Sequence, residues 1–480
     1  MTDQNQPESA SPEPGEPHRS AAGALRRLAA TLRASVLMRF LTVGALVLAM
    51  QLPLGMVEGV VDERGIRHHG VEREIAEQWG HRQRLVGPIL VVPYREKIVS
   101  SKKIFDDLGR WRQVAETDFL ARIAVALPET LSLDLTLNTE RRRRGLFDVL
   151  VYSGEVAIDA HFARPDIAGL SDKEIEIDWD KAGIVVGLSD TQAVKSVTAA
   201  TWQGRERSVA PNPDVSGLVD NGFHVPLDAW TEASGPARFT LAFALNGSKG
   251  FDFAPLGEAS RVAMRADWPH PSFQGAALPV AHRIGDDGFE AEWRIPSLAR
   301  AYPQLWTHPM PRYKLNGVVA GVDLAEPVDL YTRLTRATKY GVLYVALTFL
   351  TFLVFELTIR ARLHLVQYGL IGLALSLFYL TLLSLAEHIA FASAYLAASA
   401  VIVGLVTLYA WAALRRLATA AVAGLALAAL YAVLYTLLQM EDFALLAGTG
   451  LLLLVLALLM LVTRNLASRN ALAVPTSAGR

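Results

Sequence analysis

Long apolar runs after residue 340 limit the possible folds of this chain more than any other feature. Crossing the hydrocarbon core of a bilayer, about 30 Å thick, takes about 20 mainly apolar residues in a helix. Short charged breaks separate five runs of this kind: residues 340–359, 366–386, 389–414, 417–440 and 443–463. The sequence therefore predicts a bundle of five membrane helices at residues 340–464, followed by a cytoplasmic tail at 465–480.

An apolar region near the N-terminus, residues 34–54, predicts one more membrane helix. The alternative is a signal peptide cleaved after Ala49, but the apolar stretch continues through Leu54, which favours an uncleaved anchor. The preceding residues, 1–33, begin with a stretch rich in Pro, Glu and Ser, a composition that does not form a core. They are predicted to be a disordered cytoplasmic tail.

The charges between the apolar runs predict the orientation, because arginines concentrate in short cytoplasmic loops. Breaks with arginine alternate with acidic breaks along the chain: Arg360 and Arg362, Glu387, Arg415 and Arg416, Glu441 and Asp442, and Arg464. We therefore predict that both termini are cytoplasmic and that residues 55–339 lie on the opposite side of the membrane.

Composition excludes several classes of protein. Only 19% of the residues are charged, against about 25% in a soluble domain, and the shortfall lies after residue 340. The net charge of −1 gives no electrostatic reason to expect nucleic-acid binding. The absence of cysteine excludes disulfides, thiolate catalysis and Cys-ligated metals, so residues 55–339 must be stabilised by a hydrophobic core.

Residues 55–339 show the alternation of polar and apolar side chains that is typical of half-buried strands. The clearest segment is 131–138, and similar patterns carry Phe119 to Val125, Val156 to Ala160, Phe239 to Leu245, Val262 to Trp268 and Phe289 to Ile295. Turn signals occur at Asn246-Gly247 and Asp286-Asp287-Gly288. A short amphipathic helix is predicted at 71–83.

The predicted fold class is α+β: six transmembrane helices, with a large antiparallel, sandwich-like β-rich domain between helices 1 and 2. One sandwich and two lobes remain alternatives.

Motifs that carry chemistry are largely missing. The chain contains no P-loop, GxGxxG, GxSxG or HExxH sequence. His68 and His69 are interpreted as a solvated pair, because adjacent side chains in a strand point to opposite faces. His270 and His282 have no partner at a ligand spacing. We therefore predict no catalytic residue, no metal ligand and no cofactor.

Four consecutive arginines, Arg141, Arg142, Arg143 and Arg144, form the first candidate functional feature. Guanidinium groups suit phosphate, so they could contact anionic lipid headgroups. The alternative is a hairpin whose arginines face water.

Glu387 and His388, at the predicted outer turn between the third and fourth spans, form the second candidate. An ionisable pair at a membrane boundary could relay protons, bind a cation or anchor a partner. The alternative is a tight turn that simply needs polar residues. Glu356, one turn inside the cytoplasmic end of the second span, is expected to reach the interface or to pair with Arg360 at i+4.

Several blocks of sequence resemble the CreD family of bacterial inner-membrane proteins. They include EIAEQWGHRQRLVGPILVVPY (74–94), RRGLFDVLVYSGEV (143–156), DWPHPSFQGAALP (267–279), GFEAEWRI (288–295), VDLYTRLTRATKYGVLYVALTFLTFLVFE (328–356) and VQYGLIGLALSLFYLTLLSLAEHIAFASAYL (366–396). The family pattern has a proline after the histidine that opens the third span, where this chain has His364-Leu365. The resemblance implies a role in cell-envelope integrity and induction by a two-component system under envelope or nutritional stress. It brings no catalytic residue or cofactor.

Three functions follow as hypotheses. The leading one is a non-enzymatic envelope-integrity factor whose partners are membrane lipids and periplasmic or envelope proteins. The second is a membrane enzyme or proton relay that acts on lipid or cell-wall precursors through Glu387 and His388. The third is an exporter of lipid or small solutes, which the lack of deeply placed charges disfavours. The sequence leaves the oligomeric state open.

Overall fold

The structure is a computed structural model that describes residues 36–105, 111–211, 215, 217–228, 230, 235–310, 313–326, 330–359, 364–439, 446, 448–450, 453, 456, 457 and 460. The chain divides into two compact units. Residues 65–329 form the β unit, and the described residues of 1–64 and 330–480 form the membrane unit.

Six helices are described. They are α1 (Val36–Ala49), α2 (Gln51–Trp79), α3 (Leu330–Ile359), α4 (Leu365–Ala386), α5 (Phe391–Leu414) and α6 (Leu417–Gln439). Five stretches of the described chain are long and apolar enough to cross a membrane, with α1 and α2 counted together as one. The predicted span at 443–463 falls largely outside the described residues.

The N-terminal helices are longer than the sequence predicted. The short helix expected at 71–83 is the last part of α2, which begins at Gln51 and ends at Trp79. Hydrogen bonds of helical spacing continue across Met50, whose N–H donates to the carbonyl of Leu46 and whose carbonyl accepts from Leu54. No proline follows Pro53 within α2, and each internal glycine costs only about 1 kcal/mol, so nothing forces the helix to end earlier.

Aromatic side chains and small residues pack the bundle helices of the membrane unit. The rings of Phe378 and Tyr431 lie 4.5 Å apart, and the Tyr395 hydroxyl donates to the Tyr431 carbonyl at 2.7 Å. Helices α5 and α6 approach closely at Gly424, where an added Cβ would lie 2.3 Å from Oγ1 of Thr407. Leucines on the outer faces stay exposed, as expected for surfaces that contact lipid.

The described residues of the β unit form eighteen strands. They are β1 (Gln83–Phe105), β2 (Trp111–Ala126), β3 (Thr130–Arg144), β4 (Phe147–Phe162), β5 (Ile175–Ile177), β6 (Gly183–Leu188), β7 (Val194–Trp202), β8 (Arg205–Glu206), β9 (Ala210–Pro211), β10 (Gly222–Pro226), β11 (Ala237–Ser248), β12 (Gly250–Phe253), β13 (Ala259–Ala266), β14 (Pro271–Gly275), β15 (Ala281–Gly285), β16 (Gly288–Pro296), β17 (Leu305–His308) and β18 (Ala320–Leu324).

The strands form two sheets that share one core. The first sheet has the order β14-β18-β12-β1-β6-β10-β9, with β2 and β5 also paired to β1 and β17 paired to β2. The second has the order β15-β16-β13-β3-β4-β11-β7-β8. Alternation places Leu133 of the second sheet in the same cluster as Leu85 of the first. The β-rich prediction is confirmed, and one shared core replaces the alternative of two lobes.

Two details of the β unit differ from the prediction. The pairs β1–β12 and β3–β13 are parallel, whereas the other pairs are antiparallel as expected. Asn246-Gly247 is not a turn but lies within β11, where it pairs with β4. Position 247 is a glycine because a Cβ there would lie 2.3 Å from the Tyr152 hydroxyl. Lys249, which has a φ of +65°, joins β11 of the second sheet to β12 of the first. The predicted turn at Asp286-Asp287 is confirmed between β15 and β16.

A network of charges links three strands of the first sheet. Arg82, next to β1, donates to both oxygens of Asp252 on β12, at 2.9 and 2.6 Å, and also pairs with Asp323 on β18. Arg84 adds a contact to Asp252 at 3.3 Å. The Asp252 carboxylate is only 7% exposed, and its hydrogen bonds raise the pKa of Arg82. Each charge in this network therefore depends on the others.

Candidate functional site

Glu387 lies at the end of α4 and is directed into the membrane unit. Its side chain is 7% exposed, and Oε1 lies 3.7 Å from Nη1 of Arg64 on α2. The hydroxyl of Tyr331, on α3, donates to the same oxygen at 3.5 Å. The carboxylate therefore joins three helices rather than lining an open site.

His388 has different surroundings although it is the next residue. It is exposed, and its Nδ1–H donates to the carbonyl of Ser384 at 3.0 Å, one turn back in α4. No hydrogen bond between Glu387 and His388 occurs in the part of the chain that the structure describes. Glu387 and His388 therefore have separate partners, and the acid/base pair that the sequence suggested as an alternative stays a prediction.

Glu356 forms a second carboxylate link in the membrane unit. Oε1 accepts from Nη1 of Arg39 on α1 at 3.1 Å, and Oε2 accepts from the Tyr368 hydroxyl on α4 at 3.3 Å. The residue is 9% exposed. The sequence pointed instead to Arg360, which lies outside the described residues. Arg39 is 317 positions away from Glu356, so no local pattern indicated this pair.

The two ion pairs lie at different positions along α1 and α2, which together form the N-terminal helix. About 25 residues separate Arg39 from Arg64, which corresponds to about 37 Å of helix, somewhat more than the thickness of the hydrocarbon core. Each pair bridges the N-terminal helix and a bundle helix: Arg39 to α3, and Arg64 to the end of α4. The two carboxylates are 9% and 7% exposed, so loss of either arginine would leave a buried carboxylate without its charged partner, which is costly.

The four arginines of the β3–β4 hairpin all have acidic partners. The N–O distances are 3.2 Å for Arg141 and Glu326, 2.6 Å for Arg142 and Glu140, 4.0 Å for Arg143 and Asp148, and 3.1 Å for Arg144 and Glu74. Arg142 also stacks on the Trp79 ring, 3.5 Å from its centroid. Compensated charges of this kind favour the interpretation as a solvated hairpin over a phosphate-binding cluster.

His68 and His69 are not on a strand, so the predicted opposition of their rings was wrong. Both lie on α2, with ring centroids 5.7 Å apart, and His68 is 9% exposed rather than solvated. Together with Glu72 they offer three ligand atoms that all lie within 4.8 Å of one another. Assigning a helix here would have revealed the i,i+4 spacing of His68 and Glu72, which the sequence contains.

Glu72 lies beyond the predicted first span and is surrounded by positive or potentially positive groups. Oε2 lies 3.1 Å from Nδ1 of His69 and 3.4 Å from Nζ of Lys249. Burial opposes ionisation of the carboxyl, but the hydrogen bond with His69 and the charge of Lys249 outweigh it, so the pKa of Glu72 is lowered. The carboxylate is therefore ionised at neutral pH.

Open cavities occur in both units. In the β unit, a cavity of about 470 Å³ is lined by β7 to β10, including Thr198, Glu206, Arg207 and Phe223. In the membrane unit, a groove of about 550 Å³ between α5 and α6 is lined by alanines and by Tyr395, Ser399, Tyr431 and Tyr435. Neither of these two linings contains a histidine, whereas a third cavity, of about 500 Å³, is lined in part by Thr130, Asp159 and His161.

Known proteins match most of this chain. The sequence profile of the family described as "Inner membrane protein CreD" matches residues 35–468. The protein named "Inner membrane protein CreD" from Escherichia coli (strain K12) is 31% identical over 431 residues, which cover 88% of this chain and 91% of that protein.

Two solved structures of one enzyme show weak similarity to the chain. An M1 zinc metallopeptidase from Deinococcus radiodurans and a mutant form of that enzyme are each 12% identical to the chain, with TM-scores of 0.21 and 0.20. Each alignment covers 41% of this chain and 42% of the other. At these scores the likeness carries no inference about fold or activity.

Proposed function

We propose, from the premise that this chain belongs to the family of inner membrane protein CreD, that it supports cell-envelope integrity without catalysing a reaction. In this proposal the membrane unit is an anchor, and the β unit binds envelope components or partner proteins. The observation that carries the proposal is the use of Glu387 as a link between helices: among the described residues, its partners are Arg64 and Tyr331 on two other helices.

The proposed topology has six spans, with residues 443–463 as the sixth, both termini in the cytoplasm and the β unit in the periplasm. The alternation of arginine and acidic breaks supports this orientation. Alkaline phosphatase is active only outside the cytoplasm, so a fusion after residue 326 should be active and a fusion after residue 480 inactive. The reverse pattern would overturn the orientation.

Survival of a deletion strain under cell-wall antibiotics and detergent tests the envelope role. We expect deletion to lower survival and the wild-type gene to restore it. Unchanged survival of the deletion strain under all these stresses would refute the role.

Variants at the Glu387 link test whether its function is structural. We expect Glu387→Ala to lower the amount of protein in the membrane, since it leaves Arg64 without its acidic partner, and the exchange Arg64→Glu/Glu387→Arg to recover part of that loss. The matched control is His388→Ala, which should complement like wild type. If His388→Ala accumulates normally and fails to complement, the result would contradict the proposal and support the second hypothesis, an enzyme or proton relay that uses Glu387 and His388.

A further inference from the structure

The cluster of His68, His69 and Glu72 has the spacing of metal ligands on a helix. Side chains at i and i+4 share one helix face, and so do those at i and i+3, which are the relations of His68 and His69 to Glu72. Histidines at i and i+4 bind zinc in known helical motifs for the same geometric reason. The three residues thus project their ligand atoms from about one turn of α2.

The distances fit a single ion. In a tetrahedral site with metal–ligand bonds of about 2.0–2.1 Å, two ligand atoms lie roughly 3.3 Å apart. Nδ1 of His69 and Oε2 of Glu72 are already 3.1 Å apart. The full set lies within 4.8 Å, so rotation of side chains alone, by about 1.5 Å, would close it around an ion.

The backbone that carries the cluster is firmly held within the β unit. Val71, Ile75 and Trp79, which follow on α2, pack against Val149 and Val151 of β4. The Trp79 indole N–H donates to the Tyr152 carbonyl at 3.1 Å. The His68 ring lies against Phe147, with centroids 5.5 Å apart. Ligands on a rigid, packed element lose little entropy when they bind an ion.

A lysine ammonium group lies beside the carboxylate of Glu72. Lys249 Nζ lies 3.4 Å from Oε2 of Glu72, on a side chain that is 58% exposed and can swing into solvent. An ammonium at this point compensates the negative charge when no metal is bound. A divalent ion would supply the same compensation with more charge and with bonds to both imidazoles.

We propose that His68, His69 and Glu72 bind one divalent transition-metal ion of the zinc class. Two imidazoles and one carboxylate suit Zn²⁺, Co²⁺ or Ni²⁺, whereas Mg²⁺ and Ca²⁺ prefer oxygen ligands alone. Three protein ligands leave a coordination position for water or for a group from a partner. Binding would release Lys249 from Glu72.

The proposal is tested by metal binding to the purified full-length chain in detergent. The protein carries no histidine tag, and Zn²⁺ or Co²⁺ is added after a chelator has been used and removed. We expect about one equivalent of Zn²⁺ by elemental analysis, and a Co²⁺ absorption spectrum of tetrahedral intensity. His68→Ala, His69→Ala and Glu72→Gln should each lower the affinity at least roughly tenfold. Lys249→Met should raise it, because the competing ammonium is gone.

The exposed His282→Ala serves as the matched control and should bind like wild type. Modification of wild-type histidines by diethyl pyrocarbonate, read by mass spectrometry, gives a second measurement that needs no variant to fold: Zn²⁺ should protect His68 and His69 and leave His282 reactive. Absence of binding, unchanged affinity in the three ligand variants, or equal modification of His68 and His69 with and without Zn²⁺ would each overturn the site.

Discussion

Asp252 is the residue on which the buried charges of the β unit converge, since Arg82 and Arg84 both reach its carboxylate. Removing one member of such a network leaves the others desolvated and unpaired, which is more costly than the net contribution of the intact network.

We expect Asp252→Ala to lower the free energy of unfolding by about 3 kcal/mol. Thermal unfolding of the full chain in detergent, followed by tryptophan fluorescence, measures this, since eight of the nine tryptophans lie in residues 65–329. Asp323→Ala is the matched control: its carboxylate is 36% exposed, so its loss should matter less. Equal effects of the two variants would show that burial of Asp252 is unimportant.

At the level of elements, the packing of α5 against α6 depends on one glycine, Gly424. A Cβ at Gly424 would lie 2.3 Å from Oγ1 and 3.1 Å from Cγ2 of Thr407, so no rotation of Thr407 removes both conflicts. The two helices can approach closely only because position 424 carries no side chain.

Gly424→Ala should therefore destabilise the membrane unit, and Thr407→Ala in the same chain should restore most of the loss. Gly404→Ala, on α5, is the control, because an added Cβ there meets no atom within 4 Å. The melting temperature of the detergent-solubilised protein, followed by size-exclusion chromatography, compares the variants. If the double variant is no more stable than Gly424→Ala alone, the contact with Thr407 is not the cause.

Elements with a strict period were predictable from the sequence, and contacts between distant segments were not. Leu131, Leu133, Leu135 and Leu137 alternate with polar residues, and β3 buries all four. His68 was misassigned because α2 extends well before its predicted start, so the histidines were considered as part of a strand. The partner of Glu356 escaped prediction since only the fold brings Arg39 to it.

For the molecule as a whole, three carboxylates at the surface of the β unit contribute to its response to acid. Asp159, Asp228 and Glu292 each have a lowered pKa, first because an arginine donates a hydrogen bond to the carboxylate: Arg238, Arg207 and Arg294, respectively. A carboxyl whose folded pKa is below its unfolded value stabilises the fold above that unfolded value, and this stabilisation is lost as the pH falls.

The melting temperature of the β unit should therefore be insensitive to these groups from pH 7 to about 5. At pH values below about 4.5, the melting temperature should decrease as the pH passes the ordinary pKa values, 4.5 for Glu and 3.8 for Asp. Tryptophan fluorescence across a pH series measures it. In the combined variant Asp159→Asn/Asp228→Asn/Glu292→Gln, the melting temperature should decrease less as the pH is lowered. An equal decrease in the variant and the wild type would show that these three carboxylates do not contribute.

The link between Arg39 and Glu356 also has a consequence in time. The ribosome makes the arginine 317 residues before the glutamate. At about 5–20 residues per second, some 15 to 60 s pass between the two. Through this interval the first helix is already made while its acidic partner is not, so its arginine must stay in water, among headgroups or beside the insertion machinery. The ion pair between α1 and α3 is therefore a late event in synthesis, since it cannot form until most of the chain has been made.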